Sequence, residues 1–212
     1  LIAARDLKAR RLVIASSSSV YGDSPALPKV ETMPTNPKSI YAASKLIGEH
    51  YARVFNSVFG LSVVCMRFFN VFGPRQDPNS EYAAVIPKFI KLIGRGVSPE
   101  VHGDGLQTRD FTYVDNVVQA VTLAATAPEV PPALVCNIAC GERVSLLDLV
   151  GLINRILGAS VKPVFTESRA GDVKHSLADI SLAKSALGYN PQVGLEQGIR
   201  KTIEYMHNHG EQ

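Results

Sequence analysis

Tyr41-Ala42-Ala43-Ser44-Lys45 is the stretch that decides how this chain is read. It follows the run Arg11-Leu12-Val13-Ile14-Ala15-Ser16-Ser17-Ser18-Ser19-Val20-Tyr21-Gly22. A tyrosine and a lysine at this spacing on a helix share one face, one turn from each other. An ammonium beside a phenol favours the phenolate, which suits the phenol to exchanging a proton. The apolar residues Leu12–Ala15 read as a buried strand, and ligands of open α/β sheets collect at the carboxyl ends of strands. A serine leaving that strand is therefore placed to bind the same substrate oxygen. Taken alone, the Tyr/Lys pair also fits a buried tyrosine with a snorkelling lysine. The serine run alone also fits a polar turn whose hydroxyls satisfy nearby backbone groups.

Outward from this stretch, short apolar runs alternate with helical periodicity. Residues 1–8, Ile40–Phe59, 82–93, 115–127, Leu146–Leu157, 180–187 and 195–207 read as helices. Leu12–Ala15, Leu61–Met66 and Ala133–Ile138 read as buried strands, and Arg109–Val114 as a shorter one. Ser145 and Asp179 are expected to cap the helices that follow them, Asp115 to cap its own helix, and Gly188 to stop one. Asp110 is expected to hold neighbouring backbone or arginine groups rather than to act in catalysis. The alternation predicts an α/β fold with a doubly wound parallel sheet, interrupted by Pro- and Asn-rich loops at 23–37, 73–80 and 94–108.

Composition narrows the function classes. The chain has 212 residues, 46% hydrophobic and 19% charged, which is ordinary for a globular protein. A net charge of +3 without a basic block gives no support to nucleic-acid binding. No apolar run reaches the ~18 residues of a membrane helix, and no secretory pattern is present. Cys65 and Cys136 fall in apolar strands, and Cys136-x-x-x-Cys140 is not a zinc spacing, so no metal is expected. A reduced, cytoplasmic setting is the expectation.

The motifs resemble the extended short-chain dehydrogenase/reductase superfamily and, within it, the NAD-dependent epimerase/dehydratase family. The resemblance rests on residues 11–22, the Tyr-x-x-x-Lys motif, and Arg67-Phe68-Phe69-Asn70-Val71-Phe72-Gly73-Pro74. Gly103-Asp104-Gly105 with Arg109-Asp110-Phe111, and Arg169-Ala170-Gly171-Asp172-Val173, complete it. These blocks stand in the family's order from end to end of the chain. The family's opening strand–Gly-x-x-Gly-x-x-Gly–helix, which binds the dinucleotide pyrophosphate, has no counterpart here. The chain is accordingly expected to be the C-terminal part of a longer enzyme, and on its own unable to hold the cofactor. Residues 1–75 would form the second half of an NAD-binding Rossmann-type domain. Residues 76–212 would form mainly a small α/β substrate-binding domain, with about 109–140 returning to the sheet.

The resemblance also implies roles. Ser17 and Tyr41 match the catalytic serine and the tyrosine acid/base, and Lys45 matches the lysine that assists the tyrosine and binds the nicotinamide ribose. Ser16, Phe68 and Phe69 would lie against NAD. Ser18 would touch the substrate, Asn70 would donate to the diphosphate, and Arg109 and Arg169 would clamp it with planar guanidinium forks. Asp172 would accept from the uridine ribose, with Lys88, Val101 and His102 at the uridine end. Dehydratases of the family carry Asp-Glu where this chain has Ser18-Ser19, which points to simple inversion at C4. Ser176 matches a site facing the sugar's C2 substituent. A small residue there, with Ala83 and Ala84, leaves room for an N-acetyl group. Residues 75–88 likewise resemble bacterial UDP-N-acetylglucosamine 4-epimerases.

The expectation is NAD-dependent 4-epimerisation of UDP-N-acetylglucosamine through a 4-keto sugar. UDP-glucose or a UDP-uronate relative, and an inactive remnant, are the alternatives. A homodimer through Ile40–Phe59 is also expected, because that helix carries apolar residues on more than one face.

Overall fold

The computed structural model describes residues 1–77, 84–167 and 174–209. Its helices are α1 (Ile2–Asp6), α2 (Ile40–Phe59), α3 (Val85–Gly94), α4 (Val114–Thr126), α5 (Leu146–Leu157), α6 (Ser181–Leu187) and α7 (Leu195–His209). The strands are β1 (Leu12–Ser17), β2 (Val63–Phe68), β3 (Val71–Phe72), β4 (Glu100–His102) and β5 (Thr108–Arg109). They continue with β6 (Thr112–Tyr113), β7 (Leu134–Ile138), β8 (Val144–Ser145) and β9 (Val164–Thr166).

A parallel sheet in the order β1-β2-β7 carries the frame. Parallel neighbours need a crossover, and α2 supplies the one from β1 to β2. The central strand β2 is buried along nearly its whole length, as befits a strand covered on both faces. Ser39 caps α2 by accepting from the Ala42 N–H at 3.1 Å, and Gly60 ends it in the left-handed region. The inner face of α2 presents Ala42, Glu49 and Ala52, small residues that let it approach the sheet, with one buried carboxylate among them.

Away from the sheet, α3, α5 and α7 enclose a second core around Ile86, Phe89, Ile93, Leu149, Ile153 and Ile199. Three short pairings dress it: β3 with β6 and β4 with β9, both parallel, and β5 with β8, antiparallel. Ser145 forms a full capping box with Asp148 at the start of α5.

Several expectations are corrected. Arg109–Val114 is not one strand but two, β5 and β6, which pair with different partners. Asp115 does not cap α4. That helix begins at Val114 after Tyr113, and Asp115 lies in its first turn, paired with Lys201 at 2.9 Å. Helix α6 starts one residue later than expected, with the Asp179 carboxylate accepting from the Ser181 N–H at 2.7 Å.

The break between β5 and β6 has a physical cause in Asp110. Its carboxylate turns inward and accepts from the N–H groups of Cys140 (3.0 Å), Gly141 (3.1 Å) and Ala178 (3.1 Å). It thereby ties the end of β7 to the segment leading into α6. Burial pushes the carboxyl up to about 6, against the pull of these donors. A carboxyl whose folded value is raised contributes stability while protonated and loses it as pH rises through the window from about 4 to about 6. An Asp110→Asn variant has no such titration. Its stability deficit against the wild type is therefore expected to shrink by about 2–3 kcal/mol between pH 4 and pH 7. Urea midpoints of both proteins at the two pH values check this, and a constant difference would refute it.

Candidate functional site

The carboxyl end of β1 meets the first turn of α2 at a cleft of about 480 Å³. Ser18, Ser19, Gly22, Asp23, Lys29, Lys38 and Ala42 line it together with Phe69, Asn70, Arg109, His175 and Ser176. The turn after β1 is tight. A Cβ on Gly22 would stand 2.1 Å from the Asn36 carbonyl oxygen, and its φ of +64° is one that L side chains rarely adopt.

Ser17, Tyr41 and Lys45 do not themselves line this cleft, but Ser17 and Tyr41 directly precede the lining residues Ser18 and Ala42. The Ser17 hydroxyl oxygen accepts from the Ser19 N–H (3.2 Å) and from the Ser19 hydroxyl (2.9 Å), leaving its own hydrogen to donate. Tyr41 is 57% exposed. Lys45 donates to the Ala15 carbonyl at 3.0 Å, with its Nζ 5.4 Å from the centre of the Tyr41 ring. Backbone of β1 thus holds the ammonium beside the phenol. Strand alternation turns the Ser16 hydroxyl the other way. It is buried and donates to Glu49 at 2.5 Å, so only the backbone of Ser16 remains for a cofactor.

Asn70 adopts a φ of +33°, a region asparagine tolerates better than most residues. Its amide donates to the Asp110 carbonyl and to the Ser176 hydroxyl, each at 3.2 Å, so two predicted substrate residues are joined directly. Arg109 donates to the carbonyls of Thr108 (3.0 Å) and Lys174 (3.2 Å). Phe69 is buried in the sheet core, 6.3 Å centre to centre from Tyr21, and reaches the cleft wall, whereas Phe68 only packs against that core. Ala84, Lys88, Val101 and His102 do not line the cleft. Ala84 and Lys88 lie at the start of α3, and the Val101 side chain is buried in the second core. His102 faces the Thr166 hydroxyl at 2.7 Å. Ala83, Arg169 and Asp172 lie outside the described residues.

Sequence reasoning passed over Lys29, His175 and a buried ion pair. His175 meets the Thr108 hydroxyl at 3.0 Å. Glu49 and Arg67 form a two-pronged pair at 2.9 and 2.7 Å, 1% and 2% exposed. The signal for that pair was present, since a charge within an apolar strand and another on a helix's inner face demand partners. Among the described residues no group of three His, Cys, Asp or Glu side chains is arranged to hold a metal ion, and no helix is long and apolar enough to cross a membrane.

The donor set fits one end of a dinucleotide. An ammonium carries three N–H groups, and Lys45 commits one to Ala15, leaving two for a ribose diol beside the Tyr41 phenol.

The model of the NAD dependent epimerase/dehydratase family matches residues 1–139. The chain is 39% identical to a UDP-glucose 4-epimerase of Mycolicibacterium smegmatis, over 97% of this chain and 65% of that protein. It superposes on a UDP-N-acetylglucosamine 4-epimerase of Methanobrevibacter ruminantium, solved in complex with UDP-N-acetylmuramic acid. The TM-score is 0.92 and the identity 40%, over 98% of this chain and 66% of that one. It also superposes on a Bacillus cereus UDP-glucuronic acid 4-epimerase in complex with UDP-glucuronic acid and NAD. There the TM-score is 0.88 and the identity 33%, over 98% and 64%. The chain thus spans just under two thirds of the relatives it matches, and its α/β fold with a parallel sheet matches these Rossmann-type epimerases. On the matched model and the shared fold, this chain belongs to the NAD dependent epimerase/dehydratase family, whose cofactor is NAD.

Proposed function

We propose that the intact protein carrying this chain interconverts the C4 epimers of a UDP-hexose, with UDP-N-acetylglucosamine and UDP-N-acetylgalactosamine as preferred substrates. The observation that carries the reading is Lys45 held by the Ala15 carbonyl beside the Tyr41 ring, next to a cleft lined by Ser18, Asn70, Arg109 and the small Ser176. NAD, when bound, supplies a reversible hydride acceptor. Tyr41 takes the proton of the 4-hydroxyl and returns it on the other face, Ser17 donates its free hydrogen to the same oxygen, and Lys45 stands beside the phenol. Asn70, Arg109 and Arg169 anchor the diphosphate while the 4-keto sugar turns over.

In this reading residues 1–75 belong to the cofactor domain. Residues 76–212 belong mainly to the substrate domain, with about 109–140 contributing to the sheet, which is supported by β7 pairing with β2. A homodimer is part of the proposal. Ile47, Tyr51, Val54 and Val58 form an exposed apolar stripe on α2 with the 4-3-4 spacing of a helix-pairing seam, and Ile40 extends it. A UDP-uronate substrate is the second reading, supported by similarity to the B. cereus enzyme. Offering the intact protein UDP-N-acetylglucosamine, UDP-glucose and UDP-glucuronate in parallel tests the choice. Faster conversion of the N-acetylated sugar is expected. Exclusive conversion of either other sugar overturns the substrate assignment.

A further inference from the structure

Lys29 is a buried cation for which the mechanism above has no use. Its side chain is 3% exposed, yet it lines the cleft together with Ser176. Its backbone is pinned from three sides: the N–H donates to the Leu177 carbonyl (2.8 Å), and the carbonyl accepts from Asp179 (2.9 Å) and from the Asn137 amide (2.9 Å). A bridge to Ala178 places it alongside the segment that carries Ser176. The Nζ donates to the Ser24 carbonyl. No carboxylate among the described residues forms an ion pair with it, and the nearby Asp23 is paired with Lys38 at 3.4 Å. An ammonium offers three N–H groups, and leaving buried donors unmatched is costly. Among the described residues only one of the three has a hydrogen-bond acceptor, the Ser24 carbonyl, which leaves two for a ligand in the cleft.

Resting on the reading under Proposed function, we propose that Lys29 is a specificity-determining residue that donates a hydrogen bond to the acetamido carbonyl at C2 of the bound hexose. Ser176 leaves room for that group, and Lys29 rewards its presence. A substrate with a plain hydroxyl at C2 does not extend an acceptor as far into the wall.

The test uses the intact protein with bound NAD and compares kcat/KM for UDP-N-acetylglucosamine with that for UDP-glucose. Lys29→Met keeps the apolar stem and removes the donors, and is expected to lower the ratio of the two constants at least about tenfold. Lys29→Gln restores one neutral donor and is expected to lie between the wild type and Lys29→Met. Thermal melts identify the variants that fold. An unchanged ratio in either folded variant overturns the proposal while leaving epimerisation intact. A wild type that converts UDP-glucose alone overturns the N-acetyl reading, and this proposal with it.

Discussion

Tyr41→Phe is expected to lower the turnover of the intact protein by roughly two to four orders of magnitude, the usual worth of a positioned general acid/base. The substitution removes one oxygen and nothing else that the fold uses. The Tyr41 ring is more than half exposed, its hydroxyl has no hydrogen-bond partner among the described residues, and α2 is capped independently by Ser39. Stability is therefore expected to change by no more than about 0.5 kcal/mol, as for surface substitutions away from special features. The separation matters, because a loss of rate with an unchanged melting temperature assigns the loss to chemistry. KM should move little, since in the proposed reading the phenol acts on the 4-hydroxyl and other residues anchor the diphosphate. Steady-state kinetics with a parallel melt decide it, and turnover above about a tenth of wild type would exclude the acid/base role.

How far the sequence disclosed this arrangement depended on the length over which each signal ran. Helices α2 and α5 have the bounds that periodicity predicts, because several turns of apolar spacing and a capping serine act together. The strands β1, β2 and β7 were visible as apolar runs, each displaced by a residue or two at its ends. The pairings of β3 with β6, β4 with β9 and β5 with β8 were not, since strands of two or three residues have no period to read. Asp110 was expected to hold backbone groups. That it would split a strand depended on N–H donors about thirty and seventy residues later in the chain, at Cys140 and Ala178. The nearness of Tyr41 and Lys45 was legible because a four-residue spacing on one helix fixes their spacing in space. Lys29 was not, because its place in the cleft is set by hydrogen bonds to Leu177 and Asp179 that no local pattern announces.

Glu49→Ala is expected to destabilise the protein by about 3–5 kcal/mol, the cost of stranding one member of a buried ion pair. Arg67 would keep its charge at 2% exposure, with the Tyr21 ring 4.7 Å away and no other ion-pair partner among the described residues. The same change also frees the Ser16 hydroxyl, which donates to Glu49 at 2.5 Å. One carboxylate thus joins β1, β2 and α2, and it sits eight residues, about 12 Å along the helix axis, beyond Tyr41. The attraction within the pair is not itself the source of the stability. Two charges withdrawn from water recover their desolvation cost only through good geometry, and an apolar replacement of both can be neutral or better. Glu49→Leu combined with Arg67→Met is therefore expected to be more stable than either single change, with a coupling of roughly 1–3 kcal/mol. Urea unfolding of the four proteins gives that coupling, and purely additive losses would refute it. Activity separates the pair's two roles. If the double variant recovers stability but not turnover, the pair serves to hold α2, and with it Tyr41 and Lys45, in register with Ser17. Recovery of both would assign that register to packing alone, with Ala42 and Ala52 sufficient to seat the helix on the sheet.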